Sequence, residues 1–230
     1  MSETALPALT RLLQLSSPAL PVGAYTYSQG LEWAVESGRV RDEASAGRWI
    51  ADLLTHSAGR YEAPLVARLM RHWRDGEFSE IARLNADFLA SREAAELRAE
   101  TVQMGYSLVR LLAELGDPTL EPARAFLEEL PEAAYPTAWS GLAAAWEIAP
   151  AEAVVAYLWA WAENQTMAAL KTVPLGQAAG QRLLAALARR IPETAQTALT
   201  LPEPEWSNHL PAHALCAARH ETQYSRLFRS

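Results

Sequence analysis

The sequence predicts an all-α fold, and three observations carry the prediction. Apolar residues recur at helical spacing along almost the whole chain of 230 residues. Half of the residues are apolar while glycines number only 11. No alternating run is long enough for a strand, and no internal repeat or low-complexity tract interrupts the pattern. The expectation is one domain, residues 1–230, built as a bundle of roughly ten helices around a central buried helix pair.

Leu6, Leu9, Leu12 and Leu13 keep helical spacing in a short first helix. Pro18, Pro21 and Gly23 then forbid its continuation through SSPALPVGAYTYSQG. That loop is apolar for a loop, with Leu20, Val22, Tyr25 and Tyr27, so it either tucks into the core or offers itself to a partner. Ser28 is the expected N-cap of a helix carrying Leu31, Trp33 and Val35, which Gly38 ends. Three helical stripes follow: Trp49, Ile50, Leu53 and Leu54; Leu65, Val66, Leu69, Met70 and Trp73; and Phe78, Ile81, Leu84 and Phe88. Gly59 and Gly76 are expected to punctuate them. In SREAAELRAETVQMGYSLVRLLAELG, Leu97, Met104 and Leu111 alternate with Thr101, Leu108 and Leu115 in a seam that suits lengthwise packing on another long helix. Gly116 and Pro118 stop it. Two short helices carry Ala123, Phe126, Leu127 and Leu130, then Trp139, Leu142, Ala143 and Trp146.

The stretch from Ala151 to Arg190 organises the rest. Its first half is apolar nearly all the way round, and a helix with no wet face is a buried helix. The unbroken apolar run from Ala153 to Ala162 is well short of the ~18 residues a membrane span needs. Asn164 and Lys171 fall in line with Ala160 and Met167 and make a polar stripe. Pro174 breaks the rod and suits the first turn of a second helix, whose inner side carries Leu183, Leu184, Leu187 and Ile191. After Ile191 the chain is expected to loosen, with a proline-rich linker over 202–211 and a tail over 212–230. In the tail Arg219, Arg226 and Arg229 alternate with Tyr224, Leu227 and Phe228, the composition of interface hot spots, and it reads as a docking peptide ordered by a partner.

A net charge of −7 without a cluster of Lys and Arg excludes nucleic acid as the main partner. One cysteine, Cys216, excludes an intrachain disulfide framework and fits the cytoplasm, and MSETALPALT lacks the basic and apolar regions of a secretory signal. Lys171 is the one lysine among twenty Lys and Arg residues. Either a compact ammonium is needed there, or a codon bias toward arginine left one lysine behind.

Catalytic motifs are missing from the sequence. Leu170 precedes Lys171 where a P-loop needs glycine, no GxSxG occurs, and HExxH fails because Tyr224 stands fifth after His220 and Glu221. His213, Cys216 and His220, at i, i+3 and i+7 with His209 just outside, form a weak candidate set for nickel or zinc. A stripe two turns long splays its ends by about 10 Å, and a fourth ligand is lacking. Glu128 with Glu129, and Glu93 with Glu96, read as solvated helix faces, the latter pairing with Arg92 or Arg98.

Three stretches in order resemble the UreF family of urease accessory proteins: LLQLSSPALPVGAYTYSQGLEWAVESG, ENQTMAALKTVPLGQAAGQRLL and RHETQYSRLFRS, with REAAELRAETVQMG as a weaker fourth. Lys171, Val173, Pro174, Gln177 and Gln181 stand where the family pattern has them. The resemblance implies a non-enzymatic all-α chaperone that forms a homodimer. It acts with UreD (UreH in some organisms) and the GTPase UreG on apo-urease. No cofactor is bound tightly, and nickel is handled by the complex. Lys171, Pro174 and Gln177 become candidates for regulating the GTPase or binding a partner. Pro21, Gly23, Tyr25, Ser28, Gly30 and Glu32 become a docking loop, and His220, Glu221, Tyr224, Ser225, Arg226, Leu227 and Phe228 a docking tail. The family pattern includes His220 and neither His213 nor Cys216. Two other readings stay open on the residues alone: an all-α metal-dependent enzyme using His213, Cys216 and His220 with Lys171 or a carboxylate as acid or base, and a helical adaptor unrelated to metals.

Overall fold

Helix α9 (Pro150–Thr172) begins with proline at its first position, where no hydrogen bond is lost, and ends at Val173, whose extended φ of −106° and ψ of 143° are what a following proline imposes. A computed structural model describes residues 5–230 and places α9 at the hub of the bundle. The leading MSET, part of the segment read for a secretory signal, lies outside these residues. Around α9 stand α1 (Ala5–Leu15), α2 (Leu31–Glu36), α3 (Glu43–Leu53), α4 (Ala63–Asp75), α5 (Phe78–Ala90), α6 (Ala95–Leu115), α7 (Glu121–Glu129), α8 (Tyr135–Ala145), α10 (Gln177–Thr200) and α11 (Pro211–His220). Among the described residues there is no strand. Helix α10 lies along α9, while α4 packs between α9 and α8, and α8 in turn rests on α6. The main core runs through Leu54, Met70, Leu108, Trp139, Leu142 and Leu158, all buried.

Several elements differ from the sequence expectation, each for a physical reason. Helix α9 has a half-wet stripe, Val155 and Met167, because its neighbours cover only part of its circumference. Pro174 stands outside α10: Leu175 N–H turns back to the Val173 carbonyl at 2.6 Å, and the helix starts three residues on, at Gln177. Helix α10 runs through Pro192 to Thr200 because Pro192 faces water while Ile191, Ala195 and Ala198 stay buried. Gly59 does not punctuate. It lies in a nine-residue π-helical segment, Leu54–Glu62, that joins α3 to α4 without a break. A Cβ on Gly59 would stand 2.6 Å from the Leu54 carbonyl and collide with Thr194 of α10, so glycine permits the close approach. Such an insertion in a helix re-aims the residues after it. Here Glu62 faces inward.

In α1, Leu12 and Leu15 meet the core, but Leu6, Leu9 and Leu13 are exposed, so the first helix is seated by its C-terminal end. The seam of α6 packs on two short helices, α7 and α8, and not on a long one. Segment 202–211, expected as a linker, is tied down. Trp206 stacks edge-on with Tyr61 under the Arg68 guanidinium, and Arg83 pairs with Glu203 at 2.9 Å.

Candidate functional site

Loop 16–30 and the tail 221–230 meet beside the last turn of α9, and left-handed backbone shapes the loop there. Gly23 (φ 76°), Gln29 (φ 52°) and Gly30 (φ 78°) turn it. The turn tucks Val22 and Tyr27 inward and leaves Tyr25 64% exposed. Helix α2 starts at Leu31 with Gly30 as N-cap, so Ser28 is not the cap residue, although its hydroxyl accepts the Glu32 N–H at 3.3 Å. Gly30 presses backbone to backbone on α11: a Cβ there would sit 2.9 Å from the Ala217 nitrogen.

Carboxylates from the first turns of α2 and α6 hold the tail. Glu32 accepts the Leu227 N–H at 2.7 Å and the Phe228 N–H at 2.9 Å. His220, wholly buried, sets Nε2 3.1 Å from Glu32 and Nδ1 2.6 Å from Glu96, so both ring nitrogens meet a carboxylate. Arg226 reaches Glu96 at 2.5 Å, and Glu221 caps α6 by accepting the Ala95 N–H at 2.8 Å. The last turn of chain closes the clasp. Arg229 N–H donates to the Thr26 carbonyl at 2.8 Å, and the Ser28 N–H and hydroxyl both donate to the Ser230 carbonyl, at 2.7 and 2.6 Å.

Beneath the clasp is a cavity of about 90 Å³ with a largely apolar wall, into which Gln29, Glu62, Arg92, Glu100, Tyr135 and His213 bring polar groups. Glu62 takes the Tyr157 hydroxyl at 2.7 Å and Arg92 at 3.2 Å. Glu100 is 6% exposed and accepts Gln29 Nε2 at 2.7 Å and the Ser230 hydroxyl at 2.8 Å. Burial pushes its carboxyl up to about 7, with the Glu62 carboxylate adding to the rise. His213 donates from Nε2 to the Gln29 carbonyl at 3.0 Å, and burial drives its pKa down to about 4. Its ring is therefore neutral at physiological pH. In an NMR titration from pH 8 to 5.5 its ring-proton resonances are expected to stay fixed, while an exposed imidazole moves through its full range.

Lys171 closes the outer end. Its Nζ donates to the Tyr25 carbonyl at 3.4 Å and lies 5.7 Å from the Tyr25 ring and 5.4 Å from the Phe228 ring. Pro174 and Gln177 are exposed just past the end of α9.

The structure brings the loop, Lys171 and the tail together, but it divides the residues expected to face a partner. Pro21, Tyr25, Tyr224, Ser225 and Leu227 are open to solvent, whereas Ser28, Gly30, His220 and Phe228 are buried in this chain's own clasp. Glu32, Glu221 and Arg226 are engaged in it, and Gly23 shapes it. The tail thus packs on this chain's own first loop and on the first turns of α2 and α6. The three sulfur and nitrogen donors do not converge: His213 turns to Gln29, Cys216 is sealed in the core, and His220 is taken by two carboxylates. Among the described residues no group of three or more His, Cys, Asp or Glu side chains is placed to hold a metal ion. Glu96 pairs with the tail, not with Arg92 or Arg98, which reach Glu62 and Glu132 instead.

Sequence reasoning passed over Glu62, Glu100 and Gln29, and gave Arg92 a different partner. A signal for two of them existed: Glu62 continues the stripe of Leu54 and Ala58, and Glu100 stands between Leu97 and Met104 on the apolar seam. A carboxylate on an apolar stripe is a buried-charge warning.

The family model described as UreF matches residues 40–188, the part of the chain that holds α9, Lys171, Pro174 and Gln177. Full-length similarity adds the loop and the tail. The urease accessory protein UreF of Dechloromonas aromatica (strain RCB) is 69% identical over 222 residues, covering 96% of this chain and 97% of its own length. That of Azoarcus sp. (strain BH72) is 64% identical over 223 residues, covering 96% and 95%. That of Methylobacillus flagellatus is 50% identical over 224 residues, covering 97% and 98%. With its clasped tail, its single lysine at the end of α9 and these relatives along almost its whole length, the chain belongs to the UreF family of urease accessory proteins.

Proposed function

We propose that this chain is a non-enzymatic adaptor of urease maturation. Its clasp face joins a UreD-type partner (UreH-type in some organisms), and Lys171 with Pro174 and Gln177 meets a UreG-type GTPase. The complex handles nickel and passes it to apo-urease as GTP is hydrolysed. The chain works as a homodimer in the cytoplasm and holds no tight cofactor. No helix among the described residues is long and apolar enough to cross a membrane.

The observation that carries the reading is the company kept by the clasp. Tyr25, Tyr224 and Leu227 stand exposed on the loop and tail whose neighbouring residues are locked, so apolar anchors are presented on a rigid base. Residues fixed in advance lose less entropy on docking. The rival reading as a metal-dependent enzyme draws no support from His213 and His220, which are taken by Gln29 and by two carboxylates, or from Cys216, which is sealed in the core.

Co-purification with UreD-type and UreG-type proteins tests the proposal. Deleting Arg219 to Ser230 is expected to abolish the UreD-type complex. Tyr224→Ala, at a fully exposed position that cannot disturb the fold, is expected to weaken it by about tenfold or more. Nickel in the isolated chain should stay well below one ion per chain by elemental analysis. Retention of the complex by both variants overturns the docking face, and stoichiometric nickel in the chain alone restores the enzyme reading.

A further inference from the structure

The one lysine of the chain sits where three segments distant in sequence converge, and each has a separate reason to be there. Lys171 is in the last turn of α9, where a cation is favoured by the helix carbonyls. Tyr25 is in a single 3₁₀ turn, Ala24–Thr26, set up by the left-handed Gly23. Phe228 is 5% exposed and is anchored through its N–H to Glu32. One hydrogen bond, from the Arg229 N–H to the Thr26 carbonyl at 2.8 Å, ties the residue after the phenylalanine to the residue after the tyrosine. The two rings therefore stand as linked walls, 5.7 and 5.4 Å from the ammonium, within the range at which a cation is drawn to an aromatic face.

We infer that Tyr25 and Phe228 form a two-walled aromatic cage that positions the Lys171 ammonium, leaving its remaining donors directed outward for an anionic group of a protein partner. The cage is a property of this chain alone. Its use toward the GTPase rests on the reading proposed above. The arrangement also decides between the two explanations of the lone lysine. A compact ammonium with three donors fits between two rings and a carbonyl, whereas a planar guanidinium would have to stack on one ring and give up the other contacts. Tyr25 and Phe228 are thus positioning residues.

Because the chain has no other lysine, the test needs no site-specific chemistry. Reductive methylation of the full chain with ¹³C-formaldehyde labels Lys171 and the α-amine only and keeps the positive charge. In the folded protein the dimethyl-lysine resonance is expected upfield of its position in the urea-unfolded chain, shifted by the ring currents of both walls. Tyr25→Leu, at an exposed position that leaves the fold intact, should move it part of the way back, Phe228→Leu likewise, and the double variant should bring it to the unfolded position. Acylation of Lys171 by an N-hydroxysuccinimide ester, followed by mass spectrometry, should accelerate about threefold for each wall removed. A wild-type resonance already at the unfolded position, or one unmoved by Tyr25→Leu, overturns the cage. If the resonance behaves as expected while Tyr25→Leu leaves GTP hydrolysis by the UreG-type partner unchanged, the cage stands and the assignment of Lys171 to the GTPase falls.

Discussion

Gly30→Ala is expected to unseat α11 and the tail and to cost about 3 kcal/mol. Two terms make up the figure. Alanine at a φ of 78° is strained by about 1 kcal/mol or more, and its Cβ would overlap the Ala217 backbone nitrogen, 2.9 Å away, at an overpacking cost of about 2 kcal/mol. Backbone cannot rotate aside as a flexible side chain can, so α11 must move. The amides of Leu227, Phe228 and Arg229, which donate to Glu32 and Thr26, should lose about a hundredfold in hydrogen-exchange protection, while those of α4 and α8 keep theirs. Gly38→Ala is the control. Its φ is 73° but its Cβ would meet nothing within 4 Å, so it should show the strain term alone, about 1 kcal/mol. Equal effects of the two substitutions would mean that the contact with α11 carries no weight.

Glu100→Gln is expected to remove a pH dependence of about 3 kcal/mol. Burial, reinforced by the Glu62 carboxylate, raises the Glu100 carboxyl from 4.5 to about 7. The folded chain therefore holds a proton there that the unfolded chain releases. The stability tied to that proton is complete below pH 4.5 and is lost as pH rises through about 7. At about 1.36 kcal/mol per tenfold change in proton concentration, the displacement amounts to about 3 kcal/mol by pH 8. Glutamine stays neutral, accepts from Gln29 Nε2 and can donate to the Ser230 oxygen, so it keeps the geometry without the charge. Urea denaturation at intervals from pH 4.5 to pH 8 should show the variant near the wild type at the acid end and more stable at the alkaline end. Other titrating groups occur in both proteins and cancel in the difference. Parallel stability profiles would show that Glu100 is not the titrating group.

Much of the bundle was legible in the chain. The apolar run from Ala153 to Ala162 announced a central helix, and Pro174 announced its end, because both rest on interactions within one turn of backbone. The loop near Tyr25 and the tail near Phe228 stood out as apolar or aromatic where water is normally met. What that composition concealed was that each is the other's partner. A tail rich in arginine and aromatics looks the same whether it waits for another protein or closes on its own first loop.

The sequence by itself determined the helical class, the order of the elements and the residues worth watching, since spacing, capping and proline geometry act between near neighbours. Only the tertiary structure decided which charges are buried. Glu32 is turned from a residue of a docking loop, and Glu96 from a solvated carboxylate, into the anchors of His220, Glu100 into a near-neutral acid, and Lys171 into a seated ammonium. Each of those outcomes depends on a group more than a hundred residues away in the chain, or on the loss of water around it. Neither distance in space nor local dielectric is written in the pattern of any one segment.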